Sequence, residues 1–228
     1  MAEFDQYAKN YDTALAEGLA VTGEDKDYFA QERVRWLRRC LYELRAQPRT
    51  VLDYGCGTGS AVPWIIAECR PERVVGVDLS LESVAEATAK HGSKMVSFHS
   101  IDAYQPAGTI ELAFCNGVFH HIPLAERAGA LGYIKKALRP GGFFALWENN
   151  PWNPGTRYVM SRIPFDRDAI TLSVLTAQGL LESAGFEVLR KDFLFVFPRL
   201  LKWLRGLEPA LSKLPLGGQY QVLCRKLG

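Results

Sequence analysis

The stretch DYGCGTGS, residues 53–60, places glycines at 55, 57 and 59 behind the apolar run that starts at Val51. Glycine loses more chain freedom on folding than any other residue, so this crowding points to a backbone that a ligand must approach closely. Peptide N–H groups left open where a strand passes into a helix suit a polar or anionic group. Downstream, VVGVDLS carries Asp78, whose two carboxylate oxygens could accept from ribose hydroxyls. His120 and His121 follow FCNGVF, and a histidine titrating near neutral pH can take a proton. Glu148 closes a later apolar run as a base, a substrate-orienting carboxylate, or the partner in a salt bridge or loop anchor. A dinucleotide fingerprint would read GxGxxG, and Ser60 occupies its third glycine position, which argues against a nicotinamide dehydrogenase.

Short apolar runs alternate with helical stretches from about residue 50, the pattern of βαβ units and a parallel sheet in an α/β fold. Strands are predicted at 50–55, 73–79, 94–100, 111–117, 143–149, 186–197 and 219–226. Helices are predicted at 60–69, after an N-cap at Ser80, at 125–138 with Arg139-Pro140-Gly141-Gly142 as its stop, and after an N-cap at Thr176. The glycine loop and Asp78 then lie at carboxyl ends of strands, where open parallel sheets bind ligands.

DYGCGTGS, VVGVDLS, SID (100–102), FCNGVFHHI (114–122) and LRPGG (138–142), in this order, resemble the class I S-adenosylmethionine-dependent methyltransferases, in the small bacterial group built around DxGCGTG. The resemblance covers roughly residues 50–190. It implies a Rossmann-like sheet of seven strands, six parallel and the last antiparallel, with helices on both faces and S-adenosyl-L-methionine as cofactor. On that resemblance Gly55, Cys56, Gly57, Thr58 and Gly59 form the loop under the methionine and ribose parts of the cofactor. Asp53 anchors the loop or meets the methionine ammonium through water, Asp78 holds the ribose and Leu79 flanks the adenine. Asp102 accepts from the adenine amino group, Ala103 donates through its backbone, and Asn116 and Gly117 line the methionine end. Capping or turn formation is the plainer role for Asp53 and Asp102. FDQYAKNYD resembles the family's opening, in which aromatics fold over the cofactor; Tyr11, ahead of Tyr7, is the candidate, unless both pack on the first helix. His121 and then His120 are candidate bases, although family members use a histidine there for packing.

The chain divides into an N-terminal helical cap at 1–48 and a catalytic domain at 49–228 carrying insertions at 151–172 and 198–218. ENNPWNPGTRYVMSRIPFDRDA (148–169) opens on Asn-Pro turns rather than helix. Asn149, Asn150 and Asn153 could bond a substrate or pin those turns; the stretch also resembles a subgroup of bacterial methyltransferases with ENPxNPxTR and PFDxDA segments, which implies that Asn149, Arg157, Asp166 and Asp168 shape the substrate pocket. Leu200, Leu201, Trp203 (or Leu204), Leu207 and Leu211 recur at roughly helical spacing, either to complete the core or to form a greasy lid whose cations suit a membrane surface or an anionic head group.

Composition is that of a globular protein, with 48% hydrophobic and 23% charged residues. The net charge of +2 conceals an uneven distribution. Residues 1–32 carry eight acids against two Lys/Arg, and residues 198–228 six Lys/Arg against one acid, too sparse for a nucleic-acid footprint. Five cysteines without CxxC spacing read as reduced thiols, and no metal-binding spacing occurs. The polar, acidic start lacks the basic and apolar regions of a signal peptide, so a cytoplasmic location is expected. The best reading is methyl transfer to a small, apolar or amphipathic molecule (lipid-linked, quinone-like or a secondary metabolite); the alternative is a cofactor-binding regulator or scaffold without catalysis.

Overall fold

A computed structural model describes residues 11–166 and 169–228. Seven strands form one sheet: β1 (Thr50–Tyr54), β2 (Arg73–Asp78), β3 (Val96–Ser100), β4 (Ile110–Asn116), β5 (Leu138–Asn149), β6 (Phe186–Leu194) and β7 (Gln219–Lys226). Their order is β3-β2-β1-β4-β5-β7-β6. β1 to β5 run parallel, and β7 is antiparallel to both β5 and β6. Six strands therefore share one direction, as the resemblance implies. The order reverses between β1 and β4, and the carboxyl ends of those two strands open the crevice where ligands bind in such sheets.

Helices cover both faces, which is why the strands read as unbroken apolar runs. On one face α5 (Arg127–Ala137) and α7 (Val174–Ser183) bring Leu131, Ile134, Ala177 and Leu181 onto Leu52, Val75, Phe144 and Val222. On the other, α2 (Lys26–Glu43), α3 (Val62–Cys69) and α4 (Leu81–His91) bring Leu37, Leu41, Ile65 and Ala87 onto Val51, Val74, Leu112 and Trp147. α2 belongs to this core, with Val34, Leu37, Cys40 and Leu41 buried in it. α1 (Tyr11–Leu19) lies against α6 (Pro154–Arg162), where Gly18 meets Ile163 so closely that an added Cβ would stand 2.3 Å from its Cγ1. All five cysteines are free, and no helix among the described residues is long and apolar enough to cross a membrane.

Several boundaries move for identifiable reasons. Ser80 caps α4 as expected, its Oγ accepting from Ser83 N at 3.2 Å. The cap of α7 is Ser173 rather than Thr176, and it is the Thr176 N–H that Ser173 Oγ receives. The Asn-Pro segment expected to form only turns starts α6: Asn153 Oδ1 accepts from Thr156 N at 3.0 Å, and Pro154 takes a first-turn position where no N–H is needed. β6 stops at Leu194 because Phe195 adopts φ +65° and the Phe195 and Phe197 N–H groups donate to the Glu208 carboxylate instead of a neighbouring strand. The apolar residues of 198–218 do not complete the core. Residues 199–207 form 3₁₀ turns kinked at Leu201, followed by the short α8 (Glu208–Leu211), and Leu200 and Trp203 stay 87% and 76% exposed.

Candidate active site

The turn after β1 is tied to β2 by main-chain bonds from Gly55 N and Cys56 N to Val77 O, at 2.8 and 3.1 Å. At Gly55, φ is +71° and an added Cβ would lie 2.4 Å from Val118 Cγ2, so close packing from the β4 side requires glycine there. Gly57 differs: φ is +51°, yet nothing lies within 4 Å of where its Cβ would be. That open side faces a cavity of about 930 Å³ walled by Gly55, Cys56, Gly57 and Thr58. Gly59 turns away from the cavity and packs against Phe98.

Asp78, at the tip of β2, holds the loop directly. Its Oδ2 accepts from Gly57 N at 2.8 Å and its Oδ1 from Ser80 N at 2.9 Å. A carboxylate oxygen accepts more than one hydrogen bond, so the same group can take a ligand hydroxyl as well. Asp53 is buried in the cavity wall, and its Oδ2 has no hydrogen-bond partner. Burial, reinforced by the Asp78 charge, pushes its carboxyl up to about 7. An orphaned buried carboxylate in the wall of the same cavity as an open glycine fits the ammonium of a methionine group, and so the cofactor named by the resemblance. Leu79 is exposed and lines the cavity, as do Asn116 and Gly117, whose N–H donates to Trp147 O. Asp102 and Ala103 are exposed on the turn after β3 and do not reach the wall, which Ile101 supplies; the Ala103 N–H is spent on Ser100. The side chain of Tyr11, at the start of α1, lies outside the described parts, as do Tyr7 and Asp168.

A chain of titratable groups crosses the floor beside Asn116. Glu148 Oε1 accepts from Phe119 N at 2.8 Å, and Oε2 sits 2.5 Å from His120 Nδ1. His120 Nε2 lies 3.5 Å from Asp166 Oδ1, and His121 Nε2 lies 3.2 Å from the same oxygen. His120 and Asp166 are buried but reach the cavity; Glu148 is buried behind His120 and does not. Burial disfavours charge on His120, yet the Glu148 and Asp166 carboxylates override it and raise its pKa to about 10. Burial likewise opposes charge on Asp166, but both histidines hold its carboxyl below the usual range. His120 is therefore an imidazolium clamped between two carboxylates at neutral pH. The donor atoms of His120, His121 and Asp166 lie within 4.8 Å of one another, a grouping that no spacing in the sequence discloses.

The insertions frame the opposite wall. Asn150 Nδ2 donates to Gly217 O and Pro215 O, Asn153 Nδ2 donates to Leu216 O, and Thr156 Oγ1 donates to Gly218 O, so the two insertions are stitched together. Asn149 and Asn153 line the cavity; Asn149 Oδ1 accepts from Gln219 Nε2, while Gln219 Oε1 accepts from Arg33 Nε. Arg157 is exposed and away from the cavity. Arg33 and Arg205 line it, Arg205 paired with Glu24 at 2.9 Å and stacked 4.5 Å over Tyr28. Arg127 is buried and ties the histidine loop to the segment before α7, through Nε to Ile122 O at 3.0 Å and Nη2 to Ile170 O at 2.8 Å. None of Arg33, Gln219, Arg205 and Arg127 sits in a recognisable motif. Arg127 in an otherwise amphipathic helix looks like surface charge, and only its burial marks it.

Comparison with known proteins agrees with this geometry. Residues 51–142 match the methyltransferase domain family. The trans-aconitate 2-methyltransferase of Azoarcus sp. (strain BH72) is 31% identical over 148 residues, covering 63% of this chain and 57% of that protein. The chain thus spans little more than half of that relative. The demethylmenaquinone methyltransferase of Thermus thermophilus is 27% identical, covering 82% of this chain and 80% of that protein. An S-adenosylmethionine-dependent methyltransferase from Mesorhizobium loti superposes with a TM-score of 0.60 at 20% identity, over 85% of this chain and 98% of that one. Motifs, domain match and sheet point the same way: residues 51–142 are similar to the methyltransferase domain family, on the seven-stranded sheet with one antiparallel strand that the resemblance to class I S-adenosylmethionine-dependent methyltransferases implies.

Proposed function

We propose that this chain methylates a small molecule bound in the 930 Å³ cavity, a volume within the roughly 300–1,000 Å³ usual for small-molecule sites. The observation that carries the reading is the unpartnered Asp53 Oδ2 in the wall of the same cavity that the open face of Gly57 lines. When bound, S-adenosylmethionine supplies an electrophilic methyl group on a positively charged sulfur. Asp53 would hold its ammonium, Asp78 its ribose, Leu79 its adenine, and the Gly57 backbone would allow the close approach.

The protein's remaining tasks are to align an acceptor and to take its proton. His120 is ill suited as a base because it already holds a proton between Glu148 and Asp166; it and Glu148 position Asp166. His121 lines the cavity and is oriented by Asp166 through Nε2 at 3.2 Å, which makes it the candidate base. Phe29, Met160, Ile163, Phe165 and Phe195 give the wall an apolar character, and Arg33 and Arg205 add charge. This favours an acceptor with an apolar body and an anionic or polar end. The N-terminal helices and the two insertions act together as its cover.

The test is release of S-adenosylhomocysteine with trans-aconitate, with demethylmenaquinone and with simple amphipathic phenols and acids. His121→Ala should lower kcat at least a hundredfold and change cofactor affinity less than threefold, since general-base catalysis contributes roughly 10²–10⁴-fold. Cofactor binding without turnover on any acceptor class would favour the regulator reading. Equal losses in binding and turnover would remove His121 from the base role.

A further inference from the structure

The outer face of the second insertion is apolar, exposed and cationic. Leu200 and Trp203 are 87% and 76% exposed, and Leu207, Leu214 and Leu216 are each about half exposed. Exposed Arg199 and Lys202 are interleaved with Leu200 and Trp203. Glu208, the one acid between residues 198 and 218, is turned inward, its carboxylate accepting from Phe195 N and Phe197 N. Within residues 198–218 the exposed charged side chains are therefore all cationic, set among large apolar ones. A water-facing surface seldom gathers large apolar groups this way unless something covers them.

Charge decides between two occupants. A second copy docked about a two-fold axis would set one cationic patch against another. An anionic lipid surface satisfies both features at once: leucines and tryptophan enter the headgroup boundary while the cations meet acidic headgroups. The kinked turns of 199–207 are too short to span a bilayer and suit lying along one. Phe195 N and Phe197 N, held by Glu208, fix the segment to the end of β6, and Pro198 and Arg205 on it line the cavity. We propose that residues 198–216 dock this protein on anionic membrane surfaces, with the cavity wall next to the lipid. The proposal stands apart from the methyl-transfer reading, because vesicle binding needs no catalysis.

Co-sedimentation with vesicles of equal parts phosphatidylglycerol and phosphatidylcholine tests it, against vesicles of phosphatidylcholine alone. The intact chain should partition at least tenfold more strongly onto the anionic vesicles, with a preference that fades as salt is raised. Its tryptophan emission should shift to the blue on binding, and Trp203→Phe should lose most of that shift. Leu200→Asp with Trp203→Asp should reduce binding at least tenfold while S-adenosylhomocysteine affinity stays unchanged. If that pair disturbs folding, Arg199→Glu with Lys202→Glu decides, and it should erase the preference for anionic lipid. Equal partition of the intact chain and both double variants overturns the proposal. So does a dimer in sedimentation equilibrium that the Leu200 and Trp203 substitutions disperse, with no vesicle binding by either form.

Discussion

Replacing Asp53 by Asn separates the cost of burying a carboxylate from its use in binding. The Asp53 carboxyl is raised from an ordinary 3.8 to about 7, chiefly by burial and then by Asp78. A raised acid weakens the folded state as pH rises: between the two values the unfolded chain has lost the proton and the folded chain still holds it. The slope is about −1.4 kcal/mol of stability per pH unit, or about 4 kcal/mol at most across the window from about pH 4 to pH 7. Urea unfolding should therefore show the parent losing stability relative to Asp53→Asn over that window. The difference should level off above pH 7, and the variant should be the more stable protein at pH 8. Binding of S-adenosylhomocysteine should move in the opposite sense. Its ammonium favours the ionised carboxylate, so affinity for the parent rises between pH 5 and 8 with uptake of the ligand coupled to proton release, while the variant binds at least tenfold more weakly with no such slope. Calorimetry in buffers of different ionisation enthalpy measures the released proton. A variant whose stability and affinity follow the parent at every pH would refute the orphaned-carboxylate argument.

Gly57→Val should fold, because no protein atom lies within 4 Å of its Cβ position, at a strain of about 1–2 kcal/mol for a left-handed residue. Its S-adenosylhomocysteine affinity, read by calorimetry, should fall at least a hundredfold; normal affinity would place the ligand elsewhere. Asp78→Ala releases both the Gly57 and the Ser80 N–H groups and removes the ribose acceptor. Affinity should drop more than tenfold, as a charged hydrogen bond is worth ~1.5–3 kcal/mol. Arg127→Met strands the Ile122 and Ile170 carbonyls at about 1–3 kcal/mol each, so urea unfolding should show a loss of about 2–6 kcal/mol. A loss below 1 kcal/mol would mean that Arg127 is not the staple between the two loops.

The features legible in the sequence are those in which neighbours along the chain act together. The glycine turn, the Asp78 tip, the Ser80 cap and the βαβ alternation each occupy a short contiguous stretch whose backbone demands show in residue type. The chemistry on the cavity floor is different. Glu148, His120 and Asp166 come from the end of β5, the loop after β4 and an insertion without periodicity, and only tertiary packing brings them within hydrogen-bond reach. That is why Glu148 reads as a cavity residue in sequence but lies behind His120 in the fold. Asn153 reads as a turn residue because Asn-Pro suits turns; the same two residues also make a good helix start, and the Thr156 N–H selects that outcome. For residues 199–207, leucine spacing shows that one side is apolar but carries no information on whether anything covers it.

The position of β7 has a consequence for biosynthesis. Residues 219–226 form the inner rail between β5 and β6, so neither of those strands can finish its pairing on that side while the ribosome still holds them. Gln219, the hinge between Asn149 and Arg33, arrives with the same strand. A nascent chain thus carries two unzipped edges and a half-built cavity until almost all of the described sequence has emerged, a late window in which chaperone capture or mispairing competes with closure.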